Sequence, residues 1–351
     1  MDPNFRCYLL GRLFGFPVEE RAACVSELRN GPLESINLPH NDHPPNDLEP
    51  NRHILKSRDL VLDCRLPVVG GAHIMGVLNV TPDSFSDGGK YLSVARAVAR
   101  ATEMAHEGAQ IIDIGGASSR PKGSAYGAGA EIVSLEEELR RVLPVVKELV
   151  TLLPDVWISI DTYRMEVARA ALEMGAHMIN DITALRFEPQ LAEVCAAFNA
   201  PLVLMHSVGL PGDMPHGLES SSPKEDIVKR VRTDLEVAIN VGIQSGCRQL
   251  IVDPGFGFGK QTTENLRLIA ELQEFQSLGY PLLIGVSRKS SVGEILSSDG
   301  KAPPPEDRVF GSLGITAVGL NGGASIVRTH DVRETSQFLM ALDATRRTSK
   351  V

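Results

Sequence analysis

The chain has 351 residues and a mass of 37.9 kDa, ample for one large α/β domain with a well-buried core, and its 43% hydrophobic content excludes a disordered chain. A formal charge of −9 with no basic run argues against a nucleic-acid partner, yet leaves room for a small anion held by local Arg and Lys. No stretch approaches the roughly 18 apolar residues of a membrane span, and five dispersed cysteines (Cys7, Cys24, Cys64, Cys195, Cys247) read as free thiols in a reducing compartment.

The N-terminal seventy residues differ from the rest. Met1 to Phe16 is partly apolar, but Arg12 interrupts it and Glu19 and Glu20 follow, which speaks against secretion and for a cytoplasmic location. Gly31 to Pro50 is rich in Pro, Asn and Asp and reads as a weakly structured linker. His53 to Leu60 and Val61 to Arg65 suggest a small hairpin able to cover the bottom of a barrel. Residues 1–70 therefore read as a partly flexible extension and 71–351 as the main domain.

From residue 73 the pattern is regular. Short apolar runs alternate with amphipathic helical stretches: strand His73–Leu78 and helix Val94–Glu107, strand Gln110–Ile114 and helix Leu135–Leu152, strand Trp157–Asp161 and helix Met165–Met174. The series continues with strands His177–Asn180, Leu202–Met205, Leu250–Asp253, Pro281–Gly285 and Ser325–Arg328. Helices are expected over Glu188–Phe198, Lys224–Val241, Thr263–Leu278, Arg308–Leu320 and Asp331–Leu342. Eight βα units in series predict a (β/α)8 TIM barrel with an N-terminal extension. The doubly wound alternative lacks its GxGxxG fingerprint after the first strand. Gly257-Phe258-Gly259-Lys260 is not a Walker A loop, because Gln261 follows the Lys.

A barrel places its chemistry at the carboxyl ends of its strands, and here those ends carry Asn79, Asp113, Asp161, Asn180, His206, Asp253, Lys289, Arg328 and His330. Asp161, Asn180 and Asp253 suit a flat heterocycle with adjacent N–H donors and a carbonyl. Arg328, His330 and the start of the last helix suit a phosphate. Asn79 and Asp83 suit a hard cation bridged to it, with Lys289 between as a charge or donor. Neither a zinc-type Cys/His cluster nor a close Ser-His-Asp set is apparent.

Taken together, Met75–Gly89, Asp113-Ile114-Gly115-Gly116, Ser118–Pro121, Ser159–Thr162, Asn180-Asp181, Asp253–Lys260, Ser287–Ser290 and Arg328–Val332 resemble the dihydropteroate synthase family, in family order and over about residues 73 to 345. The resemblance implies that the chain joins 6-hydroxymethyl-7,8-dihydropterin diphosphate to 4-aminobenzoate, giving 7,8-dihydropteroate and diphosphate for folate synthesis. It implies a pterin pocket of Asp113, Asp161, Asn180, Asp253 and Lys289, and a diphosphate site of Asn79, Arg328 and His330 with Mg²⁺ near Asn79. It further implies an aminobenzoate site of Ser119, Arg120, Pro121, Phe258 and Ser290. Two mobile loops follow, Val80 to Gly89 (with Thr81, Asp83 and Phe85) and Ala117 to about Glu131, together with a homodimer and sulfonamide inhibition or resistance at the aminobenzoate end. The family run Gly-Gly-Glu-Ser-Thr-Arg-Pro-Gly appears here as Gly115-Gly116-Ala117-Ser118-Ser119-Arg120-Pro121-Lys122, in a longer loop that includes Tyr126. Two rivals are a pterin-dependent methyltransferase and a non-catalytic homologue; the Ser287–Ser290 and Arg328–His330 motifs speak against the first.

Overall fold

The structure, a computed structural model, describes residues 52–66, 68, 71–80, 90–117, 133–209 and 226–348. All belong to the compact unit Asn51–Val351. Its strands are β1 (Ile54–Ser57), β2 (Leu60–Asp63), β3 (His73–Asn79), β4 (Ile111–Gly115), β5 (Trp157–Asp161), β6 (Met178–Asp181), β7 (Leu202–Met205), β8 (Leu250–Asp253), β9 (Leu282–Ile284) and β10 (Ala324–Thr329). The helices are α1 (Lys90–Glu107), α2 (Leu135–Leu152), α3 (Met165–Met174), α4 (Leu191–Ala197), α5 (Ile227–Gln244), α6 (Thr262–Ala270), α7 (Ser290–Ile295), α8 (Val309–Asn321) and α9 (Val332–Thr348).

Strands β3 to β10 close into a barrel in the order β10-β3-β4-β5-β6-β7-β8-β9, with every neighbouring pair parallel. This is the TIM barrel that the alternation predicts. Local signals fix several boundaries. Ser134 caps α2, its hydroxyl accepting from the Glu137 N–H at 3.2 Å. Gly175 ends α3 in the left-handed conformation (φ 117°), which glycine enters without a Cβ clash. The single helix expected over Thr263–Leu278 instead breaks after Ala270 and tightens into a 3₁₀ segment, Leu272–Leu278, that buries Leu272 and Phe275.

Side chains two apart along a strand share a face, and the inward face of this barrel changes character from bottom to top. At the bottom, Met75, Ile111, Trp157, Met178, Val203, Ile251, Leu283 and Ile326 form one apolar layer, with one residue from each barrel strand. Two or four residues further along the same faces stand Asn79, Asp113, Asp161, Asn180, Met205, Asp253, Gly285 and Arg328. The strand starts thus supply the core, and the strand ends supply polar groups.

The antiparallel hairpin β1–β2, with Ser57 opposite Leu60 and a two-residue turn at Arg58-Asp59, closes the bottom. Its Leu55, Leu62 and Cys64 are buried in the same apolar layer. Gln249, just before β8, clasps the hairpin backbone: Lys56 N–H donates to Oε1 at 2.6 Å and Nε2 donates to the Lys56 carbonyl at 2.8 Å. The hairpin packs into the barrel's core, and the compact unit that contains both begins at Asn51.

Candidate active site

Asp113 sits at the centre of the barrel mouth and is fully buried. Its Oδ1 accepts from Ser159 Oγ at 2.7 Å. Its Oδ2 accepts from Asn180 Nδ2 at 2.9 Å and from Arg328 Nε at 2.7 Å. The other arm of the Arg328 guanidinium donates to Asp161 Oδ2 at 2.8 Å. One arginine from β10 thus spans carboxylates from β4 and β5, a fork geometry that suits guanidinium and not ammonium. Burial pushes the Asp161 carboxyl upward, and Arg328 opposes it. Arg328 is therefore placed with the proposed pterin groups in this structure, whereas the sequence reading groups it with His330.

Across the mouth, β8 ends at Asp253, whose Oδ1 accepts from the Gly255 N–H at 2.7 Å. Burial pushes Asp253 up as well, with Lys289 pulling it back. The turn that follows requires glycine twice. Gly255 has φ +70°, and a Cβ there would sit 1.7 Å from the His206 carbonyl oxygen. Gly257 has φ +85°, and a Cβ would sit 2.6 Å from Lys289 Cδ. Through that gap the Lys289 stem reaches the site. Its ammonium donates to the Phe256 carbonyl and lies 4.3 Å from the centre of the Phe258 ring. Burial lowers Lys289 to about 7, with Asp253 opposing.

Phe258 packs with Ile182, Met205 and Tyr163, forming an apolar wall beside this amine. Ser290 opens α7 immediately after Lys289 and is half-buried. His330 lies at the β10 end, its Nδ1 3.2 Å from Ser287 Oγ. Burial, then Arg328 and Arg288, hold it down at about 3, so its ring is neutral. Asn79 stands at the β3 end, and its Oδ1 and the Asp161 Oδ2 lie 3.6 and 3.7 Å from the point a Gly115 Cβ would occupy. Among the described residues no cluster of three or more His, Cys, Asp or Glu could hold a metal ion. Thr81, Asp83, Phe85, Ser119, Arg120, Pro121 and Tyr126 lie outside the described residues.

The sequence reading missed two residues. Ser159 lies within a quoted motif and is the hydroxyl partner of Asp113; its inward place, two before Asp161, is the available signal. Lys260 is 5% exposed and donates to the carbonyls of Gly255 (2.7 Å), His206 (3.1 Å) and Phe258 (3.3 Å), tying the β7 and β8 ends together. Burial lowers the Lys260 amine well below its usual range, with Asp253 opposing, while three carbonyls around one nitrogen favour the ammonium, which offers three N–H donors.

Residues 75–330 match the family model described as pterin binding enzyme. The dihydropteroate synthase of Synechocystis sp. is 43% identical over 274 residues, covering 78% of this chain and 89% of that protein. The chain belongs to the dihydropteroate synthase family. Among solved structures, the family member from Xanthomonas albilineans with 4-aminobenzoic acid matches with a TM-score of 0.72 and 41% identity, over 84% of this chain and 98% of that one. The same enzyme in complex with 7,8-dihydropteroate matches with a TM-score of 0.69 and 38% identity, over the same shares of each chain.

Proposed function

We propose that the chain is a dihydropteroate synthase. It transfers the pterinylmethyl group of 6-hydroxymethyl-7,8-dihydropterin diphosphate to the amine of 4-aminobenzoate, in folate biosynthesis. The carrying observation is the Asp113–Asn180–Arg328–Asp161 cluster facing Asp253 and Lys289 at the mouth of a barrel of this family. These carboxylates and amide match the donor edge of a pterin, and the buried charges keep a ligand well oriented. In the reaction the bond from methylene carbon to diphosphate oxygen breaks, the amine lone pair forms the new C–N bond, and the amine loses a proton. An electron-rich pterin stabilises positive charge at the methylene, and Asp161 and Asp253 support that charge. An arylamine is already nucleophilic, so no strong base is required.

The reading assigns diphosphate to Asn79, Arg328 and His330, and 4-aminobenzoate to Ser119, Arg120, Pro121, Phe258 and Ser290, with Thr81, Asp83 and Phe85 on a covering loop. It includes Mg²⁺. The fit rests on Asn79, whose amide oxygen at the β3 end is a hard donor, while the nearby Asp161 carboxylate is engaged by Arg328; one such oxygen suits Mg²⁺ when phosphate and water fill its other positions. When bound, the ion neutralises charge on the leaving group. The reading also includes a homodimer, supported by the apolar outer face of α8, where Phe310 is 86% and Val318 47% exposed, with Met340 of α9 at 69%. A cytoplasmic location fits the buried free thiols Cys64, Cys195 and Cys247, and no helix among the described residues is long and apolar enough to cross a membrane. Diphosphate release by the purified protein, with and without 4-aminobenzoate and Mg²⁺, tests the activity; release that ignores 4-aminobenzoate would refute it.

A further inference from the structure

The turn between β9 and α7 contains a residue in a conformation that needs outside support. Arg288 has φ +60°, in the left-handed region that a side chain with a Cβ enters only at a cost. Three elements hold it there. Its N–H donates to Ser312 Oγ on α8 at 3.1 Å. Its guanidinium donates from Nε to both oxygens of Asp331 at 3.1 Å, just before α9. Its carbonyl accepts from Arg308 NH1 at 3.0 Å.

Arg308 is itself unusual. It is only 5% exposed, and among the described residues no carboxylate pairs with it. It donates to neutral carbonyls alone: Pro303 at 2.9 Å, Arg288 at 3.0 Å and Lys289 at 3.4 Å. A buried cation without a counter-ion is costly, and this one sits at the N-cap of α8, where the positive end of the helix dipole disfavours it further. Stability alone gives no reason for it. The helix beside it leaves it room: a Cβ on Gly293 of α7 would lie 2.7 Å from Arg308 Cζ and 2.8 Å from Nε.

We propose that Arg308 is a positioning residue, which clamps the left-handed turn at Arg288 and so aims the Lys289 side chain into the pterin pocket. Lys289 is the next residue along the chain. Its stem threads the narrow gap at Gly257, so a small rotation of the backbone at residue 288 displaces the amine that stands against Phe256 and Phe258. The inference rests on the reading of Lys289 as a pterin contact.

The test uses the full chain with Arg308→Gln, Arg308→Lys and Gly293→Ala, the last keeping the arginine but filling its slot. Calorimetry with 6-hydroxymethyl-7,8-dihydropterin diphosphate should show affinity lower by about tenfold or more in Arg308→Gln and Gly293→Ala. The KM for 4-aminobenzoate at saturating pterin should stay within about twofold. Arg308→Lys should recover part of the loss, since one ammonium cannot span both the Pro303 and Arg288 carbonyls. Modification of Lys289 by a lysine-directed acylating reagent, read by peptide mass spectrometry, should be faster in both weakened variants. Unchanged pterin affinity in a folded variant, or equal loss for both substrates, overturns the clamp. If Arg308→Gln does not fold, Gly293→Ala decides by the same criteria. If the unaltered chain binds no pterin, the pocket assignment fails; the labelling rate then judges the clamp alone, and an unchanged rate overturns it.

Discussion

At the lower end of the barrel, Leu55, Leu62 and Cys64 of the hairpin meet an apolar layer with one residue from every strand. At the upper end, two or four residues along the same inward faces, Asp113, Asp161, Asn180, Asp253 and Arg328 crowd together with little exposure. The lower end gains free energy by removing apolar surface from water. The upper end spends free energy to desolvate charges, which it recovers only through close pairing. Strand register joins the two, because a residue two positions on faces the same interior. The lower seal thus lets the upper end stay polar and ready for a ligand without unfolding the domain.

The largest effect that would separate the two ends is expected from Arg328→Met. It leaves Asp113 and Asp161 buried and facing each other without their shared cation, and removing one partner of such a set costs about 3–5 kcal/mol. Urea denaturation should show this, together with loss of pterin binding. A variant as stable as the parent would mean that the carboxylates are held by Ser159 and Asn180 alone.

Leu55→Ala attacks the other end. It opens a cavity in a fully buried layer, for which about 2–5 kcal/mol of stability is expected. The KM values of the folded fraction should not move, because the hairpin packs on the apolar layer at the strand starts and not on the described site residues at the strand ends. Altered KM values would show that the ends are coupled through the strands.

Asp253→Asn is expected to be smaller and to fall on binding. In the proposed pocket it exchanges a charge-assisted contact to the pterin for a neutral one, about 1.5–3 kcal/mol of affinity. Burial already pushes the Asp253 carboxyl upward, so stability should hardly change or should rise slightly. Calorimetry with unchanged pterin affinity would remove Asp253 from the pocket.

The lower end and the strand ends were legible in the sequence for one physical reason: period-2 and helical apolar patterns report burial directly, and polar residues that end an apolar strand stand out against it. That logic reaches Asp113, Asp161, Asn180 and Asp253. It also picks out Arg328, but not the partners that its long side chain chooses, because a flexible arginine can turn either toward an anion site or back between two carboxylates. It does not reach Arg308 at all, and it meets Lys260 only as the end of a motif, with no role assigned. Both act on backbone carbonyls, and carbonyls have no sequence signature. The hairpin was visible as two short apolar runs, and its place under the barrel was expected; what was not visible is which barrel residues it packs against, since packing between distant segments leaves no local trace. Nor does the pattern show that the helix after β8 tightens at Leu272.

The smallest prediction compares two histidines, one buried at the lower end and one half-buried at the upper end. His177 precedes β6 at the lower end and is 5% exposed; its Nδ1 accepts from the Ile158 N–H at 3.0 Å, a bond that only the unprotonated nitrogen can make. Burial lowers it to about 4, with the nearby Arg58 adding to the effect. His330 at the upper end is lowered to about 3 by burial, then by Arg328 and Arg288. In both cases the unfolded chain takes up a proton near pH 6.5 that the folded chain refuses, so stability is complete above that pH and falls as the pH drops towards 4 for His177 and towards 3 for His330. His177→Gln and His330→Gln should each make the acid limb of the stability curve shallower, at a cost near neutral pH on the order of 1 kcal/mol. Inorganic diphosphate tells the ends apart. At the proposed site beside Arg328 and His330, its negative charge would favour the imidazolium of His330 and should flatten the acid limb of the parent. That flattening should survive in His177→Gln and vanish in His330→Gln. Diphosphate that flattens the limb equally in both variants would place the anion away from His330.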